Sequence, residues 1–267
     1  MYEFDAIGTH WWIEPLDGQR IGHACRDEIE HYTAEFDLRY SRFRDDSLVA
    51  TLARQGVLVS PPTELLQMLD RTREFHETTD GVFDVPVGND LERLGYGRVA
   101  HDAPGPQKPK LSWDKHRVTV TKGTVIDFGG LGKGWLIDQY ARLLRRHGVA
   151  QFIVNGGGDL YVSSKQPVKI ALEHPHNANK QVGQTLIRQG ALAASSVVKR
   201  AWKQGQTERH HIIDPATGMP SDSPVVASFV RADTALVADV LATVLLIRPK
   251  LEQPLSQAYH AQVILLP

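Results

Sequence analysis

Ile126-Asp127-Phe128-Gly129-Gly130-Leu131-Gly132-Lys133-Gly134-Trp135-Leu136-Ile137-Asp138 is the stretch around which the rest of the chain is arranged. It begins as a strand tail, passes four glycines around one lysine, and enters a helix. Leu136, Ile137, Tyr140, Ala141 and Leu144 fall at helical spacing, and Gly148 supplies a stop. A glycine-rich turn feeding a helix leaves backbone N–H groups unpaired at the positive end of the helix dipole, which suits a phosphate. Lys133 adds a full charge there. The stretch reads as an anion cradle.

It matches neither common cradle. A P-loop would need Gly at position 127 and Ser or Thr at 134, where the chain has Asp127 and Gly134. A dinucleotide fingerprint starting at Gly130 would need Gly where Lys133 stands. A tight turn that uses glycine only for steric room accounts for the pattern equally well.

The chain has 267 residues, ample for a real core, and a net charge of -1, so no global field attracts nucleic acid or an anionic membrane. With 42% apolar and 23% charged residues, the composition is that of an ordinary soluble protein. Cys25 is the lone cysteine, which excludes an internal disulfide and a Cys-based zinc site. Met1 to His10 shows no apolar signal region, and Ala235 to Ile247 is too short to span a bilayer. A cytoplasmic protein is expected, or a periplasmic one if a leader has been removed.

Glu3 to Ile13 reads as a strand with a special turn at Gly8-Thr9, and Gly22 to Tyr40 as a helix burying Cys25, Ile29, Tyr32 and Phe36. Ser60 is the expected N-cap of a helix with Pro61 at its first position, burying Leu65, Leu69, Thr72 and Phe75 or His76 and ending near Asp80-Gly81. Residues 97 to 114, rich in Pro, Gly and Lys, read as a surface loop. Val118 to Thr121 and Thr124 to Phe128 are expected to pair around Lys122-Gly123. Strands follow at Gln151 to Val154, Leu160 to Val162, Val168 to Leu172, Gln184 to Arg188 and Val225 to Val230. Asp233 or Thr234 caps a last helix, and Ala261 to Leu266 forms a terminal strand. No strict βαβ alternation appears, which favours α+β over a doubly wound sheet.

The helix beginning at Ala235 is apolar nearly all round, save Asp239 and Thr243. Residues four apart share a face, so these two present oxygens at one point. Two readings are open. Asp239 lies on a narrow solvent stripe with Thr243 bonding back to its carbonyl; or it is buried and needs a cation, for which a hard ion such as Mg2+ is suited.

Gly8-Thr9, Ser41-Arg42-Phe43, Gly81-Val82-Phe83-Asp84, the cradle at Asp127 to Gly134, Asn155-Gly156-Gly157-Gly158-Asp159, His211-Ile212-Ile213-Asp214-Pro215 to Gly218, and Ala238-Asp239 to Thr243 occur in one particular order. This set resembles the ApbE family, the FAD:protein FMN transferases once called thiamine-biosynthesis lipoproteins. The resemblance runs from about Ala6 to Leu246. It implies a single α+β domain of the T-fold-like type over residues 1–267, with a FAD-binding cleft.

By position, the resemblance implies Mg2+ held by Asp239, Thr243 and the carbonyl of Gly130. It implies FAD contacts at Ile7, Phe43, Val82, Phe83, Asp84, Asp127, Lys133 and Ile212. The implied reaction moves FMN from FAD to a Thr or Ser hydroxyl of a target flavoprotein, releasing AMP, with His211 as base and Asp239 and Thr243 at the metal. Acceptors of the family carry a D-x-x-[ST]-G-A-T motif. No nucleic acid and no membrane insertion are expected. Ile7 replaces the family's usual Met, Ser195-Ser196 replaces its usual serine–glycine step, and the common lipoprotein leader is not seen. A Mg-dependent FAD pyrophosphatase, releasing free FMN and AMP, and a non-catalytic FAD binder are the competing readings.

Overall fold

The computed structural model describes residues 1–97, 109–204 and 207–267. A hairpin opens the chain, β1 (Tyr2–Ala6) and β2 (Thr9–Pro15), turned at Ile7 and Gly8 with φ of 52 and 68. Paired positive φ values give the twist that a two-residue hairpin turn needs. There follow α1 (His23–Tyr40), α2 (Leu48–Gln55), β3 (Val57–Val59), α3 (Thr63–Thr78) and α4 (Gly88–Arg93). Next come β4 (Leu111–Trp113), β5 (Arg117–Val120) and α5 (Gly132–Arg146). Strands β6 (Phe152–Gly156), β7 (Asp159–His174), β8 (Asn177–Ser196), β9 (Ala201–Gln204) and β10 (Thr207–His210) come after it. The chain closes with β11 (Ile213–Asp214), β12 (Met219–Pro220), β13 (Ala227–Ala232), α6 (Ala235–Ile247), α7 (Glu252–Ala258) and β14 (Gln262–Leu266).

Contacts gather these elements into two compact units. The first unit comprises Met1–Ala34, Gly129–Lys199 and Ser223–Pro267. It holds a seven-stranded sheet in the order β1-β2-β6-β7-β8-β13-β14, every pairing antiparallel. Helix α5 packs on β6 and β7, and α6 on β8 and β13. Trp11 on β2 meets Tyr140 of α5 edge-on at 5.3 Å, which marks the helix-covered face. On the alternate positions Ile153, Leu160, Val162, Leu192 and Phe229 build a second core with Leu172 and Ile187. The architecture is α+β, as the absence of βαβ alternation predicts.

The second unit comprises Glu35–Phe128 and Arg200–Asp222. Its three-stranded sheet runs β3-β5-β4, and β9/β10 and β11/β12 form two small ribbons. Here several expectations are corrected. Residues 98–108 of the expected surface loop lie outside the described residues, and Leu111–Trp113 is a strand paired with β5. Residues 124–128 do not pair with β5, whose partners are β3 and β4. They run beside residues 85–89 instead: the Val125 N–H donates to Asn89 Oδ1 at 2.8 Å and the Asp127 N–H to the Val85 carbonyl at 2.8 Å. Helix α3 starts at Thr63, not Pro61, and Ser60 caps nothing; it sits at φ 53. The cause is the Pro61-Pro62 pair, because a residue before proline is pushed to extended backbone and the helix cannot begin until past Pro62.

The expected short strands at 160–162 and 168–172 are one strand, β7, of 16 residues, and 184–188 lies within β8, of 20 residues. The helix capped by Thr234, whose hydroxyl accepts the Val237 N–H, is not the last; α7 follows it.

What fixes α5 against α6 is the absence of a side chain. A Cβ built on Gly134 would stand 2.4 Å from the carbonyl oxygen of Ala235 and 2.7 Å from the Cα of Leu236. Both are backbone atoms that cannot turn aside. Gly134→Ala is expected to lower stability by about 1–3 kcal/mol by overpacking. A urea-denaturation midpoint unchanged from wild type would show that the two helices can part without cost.

Candidate functional site

The first unit brings Lys133, Asp159, Asp239, Thr243 and Ser195 together. Asp239 is 1% exposed, inside a helix that is otherwise apolar on all its buried sides. The solvent-stripe reading of this residue is therefore set aside. Its Oδ2 accepts the backbone N–H of Gly134 at 2.9 Å, one of the donors that the first turn of α5 leaves without a helical partner. Its Oδ1 accepts from Lys133 Nζ at 3.0 Å. The anion at this helix start is one of the chain's own carboxylates.

Asp159, at the end of the Asn155-to-Asp159 turn, mirrors that arrangement. Its Oδ1 accepts the Ala194 N–H at 2.9 Å and its Oδ2 lies 2.9 Å from Lys133 Nζ. Lys133 thus stands between two buried carboxylates, its own side chain only 20% exposed. Burial works against the ammonium, but Asp159 and Asp239 outweigh it and raise its pKa. Thr243, one turn beyond Asp239, has its hydroxyl 3.4 Å from that of Ser195 on β8. Gly130 is partly buried in the turn before α5, and Ile7 occupies the β1–β2 turn at φ 52, a conformation β-branched residues rarely adopt.

The second unit assembles a different group. Arg42, buried, donates through Nε to Asp127 and through Nη2 to the Tyr96 carbonyl at 3.0 Å, with Glu92 3.8 Å from Nη1. Its guanidinium lies 4.2 Å from the centre of the Phe43 ring, yet Phe43 itself is 52% exposed. Tyr96 stacks on Trp202 at 5.0 Å and leans on the His211 ring at 5.8 Å. Val82 and Phe83 are buried. Asp84 is pushed up by burial and drawn back by His76, whose ring nitrogen is 3.9 Å away. Ile212 is buried just before β11 and its carbonyl accepts the Ser221 N–H at 2.9 Å.

The model of the ApbE family matches residues 7–263. The chain belongs to the ApbE family. A relative from Vibrio cholerae, an FAD:protein FMN transferase, is 27% identical over 265 residues, covering 90% of this chain and 79% of the relative. One of the same name from Escherichia coli is 24% identical, with 92% and 77% covered. Among solved structures, the ApbE protein of Thermotoga maritima superposes with a TM-score of 0.82 at 23% identity over 99% of this chain and 93% of that one. The flavin transferase ApbE of Vibrio cholerae gives 0.81 at 23%, covering 99% and 92%. These two likenesses are of fold.

For an ApbE chain the implied metal is a hard divalent ion, and the residues fit it. The lone pairs on offer are those of oxygen, from the Asp239 carboxylate and the Thr243 hydroxyl one turn on; the nitrogens that touch Asp239, of Lys133 and Gly134, are donors of protons and cannot ligate. Among the described residues no group of three or more His, Cys, Asp or Glu could hold a metal. A cation at Asp239 would therefore take few protein oxygens and complete its shell from ligand and water, the habit of Mg2+. Among the described residues no helix is long and apolar enough to cross a membrane.

Three residues of these groups, Asp159, Arg42 and Asp138, lie in stretches that the sequence singles out but carried no site role there. Asp138 accepts the N–H groups of Ala235 and Leu236 at 2.9 and 3.0 Å, and burial raises its pKa. The available signal was a carboxylate among Leu136, Ile137, Tyr140 and Ala141, the buried face of α5.

Burial pushes Asp239 from 3.8 up to about 6; Lys133 opposes the rise and Asp159 adds to it. A carboxylate with a raised folded pKa favours folding fully below its unfolded value and loses that contribution as pH climbs through the folded one. Removing the ammonium leaves two facing carboxylates, so Lys133→Met is expected to lose about 3–5 kcal/mol at pH 8. The loss should shrink toward pH 5, where Asp239 takes a proton. Urea denaturation at both values checks this, and an equal loss at each would assign the effect to packing.

Proposed function

We propose that residues 1–267 act as one Mg2+-dependent FAD:protein FMN transferase domain, moving FMN from FAD to a Thr or Ser hydroxyl of a target flavoprotein and releasing AMP. The observation that carries the reading is the buried Asp239, which shares Lys133 with Asp159 beside Thr243, in a chain whose relatives bear that activity in their names. Two carboxylates against one ammonium leave a buried net charge of about -1, which favours a further cation. When bound, Mg2+ would neutralise charge on the FAD pyrophosphate and make AMP a better leaving group.

The chain's own residues divide the remaining work. Asp239 Oδ1, Thr243 Oγ1 and the Gly130 carbonyl would hold the ion. Lys133 and Asp127 would contact the cofactor. Ile7 and Phe43 offer apolar surface to the flavin; the exposed ring of Phe43, fixed over Arg42, suits stacking. Val82, Phe83, Asp84 and Ile212 would contact FAD as well. His211 takes the acceptor's hydroxyl proton as the oxygen attacks the FMN phosphorus; the bond from that phosphorus to the bridging oxygen breaks, and AMP departs with it.

The test is incubation of the protein with FAD and Mg2+, with and without a peptide bearing D-x-x-[ST]-G-A-T. The acceptor should gain the mass and fluorescence of one FMN, with AMP released in step. Asp239→Ala should abolish transfer, and His211→Ala should slow it by about 10²-fold or more. Free FMN with an unmodified acceptor would make the protein a pyrophosphatase, and bound FAD without AMP would make it a flavin binder.

A further inference from the structure

The two carboxylates around Lys133 are built alike. Each has one oxygen pinned by a backbone N–H, Gly134 for Asp239 and Ala194 for Asp159, and the other turned to the ammonium at 3.0 and 2.9 Å. Asp239 Oδ1 is therefore both the oxygen free of the backbone and the one that Lys133 covers. Asp159 Oδ2 is buried and has no hydrogen-bond partner among the described residues; Lys133 is its ion-pair partner. Lys133 Nζ lies at nearly equal distances from the two carboxylates, 2.9 Å from Asp159 Oδ2 and 3.0 Å from Asp239 Oδ1.

We infer that Lys133 is a resident cation that guards Asp239, and that Asp159 is the positioning residue that receives it when Asp239 Oδ1 turns to a divalent ion. The charge count gives the reason. Lys133 with both carboxylates carries about -1, and a divalent ion brings the group to about +1, which an anionic ligand can offset. Without Asp159 the lysine and Asp239 would form a neutral pair, and the same ion would bury about +2 with no second seat for the ammonium. Asp159 then governs metal affinity without ligating the metal. This rests on the metal-binding part of the proposed function.

The experiment is a Mn2+ titration of the full chain, with free hexaaquo Mn2+ read by electron paramagnetic resonance, with and without FAD. D159N keeps an oxygen for the Ala194 N–H, and is expected to weaken Mn2+ at least about tenfold. K133Q, which uncovers Asp239, is expected to tighten it. In the K133Q background, D159N should weaken Mn2+ clearly less than it does beside Lys133, because only a charge is lost and no lysine is left to receive. K133R, whose fork can hold both carboxylates at once, should weaken Mn2+ as D159N does, and it keeps the test open if K133Q fails to fold. Equal weakening by D159N with and without Lys133 would make Asp159 a ligand or a distant charge and overturn the inference. So would Mn2+ affinity indifferent to Lys133. No Mn2+ uptake by the wild type even with FAD would sink the metal reading itself, and the inference with it.

Discussion

Helices α5 and α6 each end their first turn on a carboxylate from the other. Asp138 of α5 accepts two N–H groups at the start of α6, and Asp239 of α6 accepts one at the start of α5. The donors in question are those a helix cannot satisfy internally, and an anion there also gains from the dipole. The exchange requires the two helix starts to touch backbone to backbone, which Gly134 alone permits. This reciprocal pairing ties the glycine-rich stretch to a buried acid more than a hundred residues away along the chain.

Once Asp239 is held there, the rest of the charged group follows from the cost of burying it. A carboxylate shut away from water must be neutralised, paired or given to a cation. Lys133 supplies part of that compensation, but Asp159 shares the same ammonium, so the compensation stays incomplete. The sheet determines this sharing: Asp159 begins β7 and is fixed by Ala194 on the adjacent β8. The raised pKa of Asp239 expresses the same imbalance.

Arg42 in the second unit repeats the ratio, one cation to two carboxylates, in a different arrangement. It is a buried cation met by Asp127, Glu92 and the Tyr96 carbonyl, so its charge is largely spent within the protein. What remains outward is apolar: the Phe43 ring lying over the guanidinium. In the sequence, Ser41-Arg42-Phe43 showed a charge beside an aromatic; which of the two faces water was settled by three partners from elsewhere in the chain.

By itself the sequence determined the α+β class, the helices at α1 and α5, the turns at Gly8 and Asn155-to-Asp159, and the order of motifs that places the chain in the ApbE family. These follow from periodicity, from glycine where φ is positive, and from residue identity, all of which are local. Only the tertiary structure decided that Asp239 is buried instead of lying on a solvent stripe, that Lys133 is divided between two acids, and that residues 124–128 leave β5 for the segment at 85–89. The physical reason is common to all of these: whether a charge or a backbone donor is satisfied depends on groups far off in sequence, and neither spacing nor propensity carries that information.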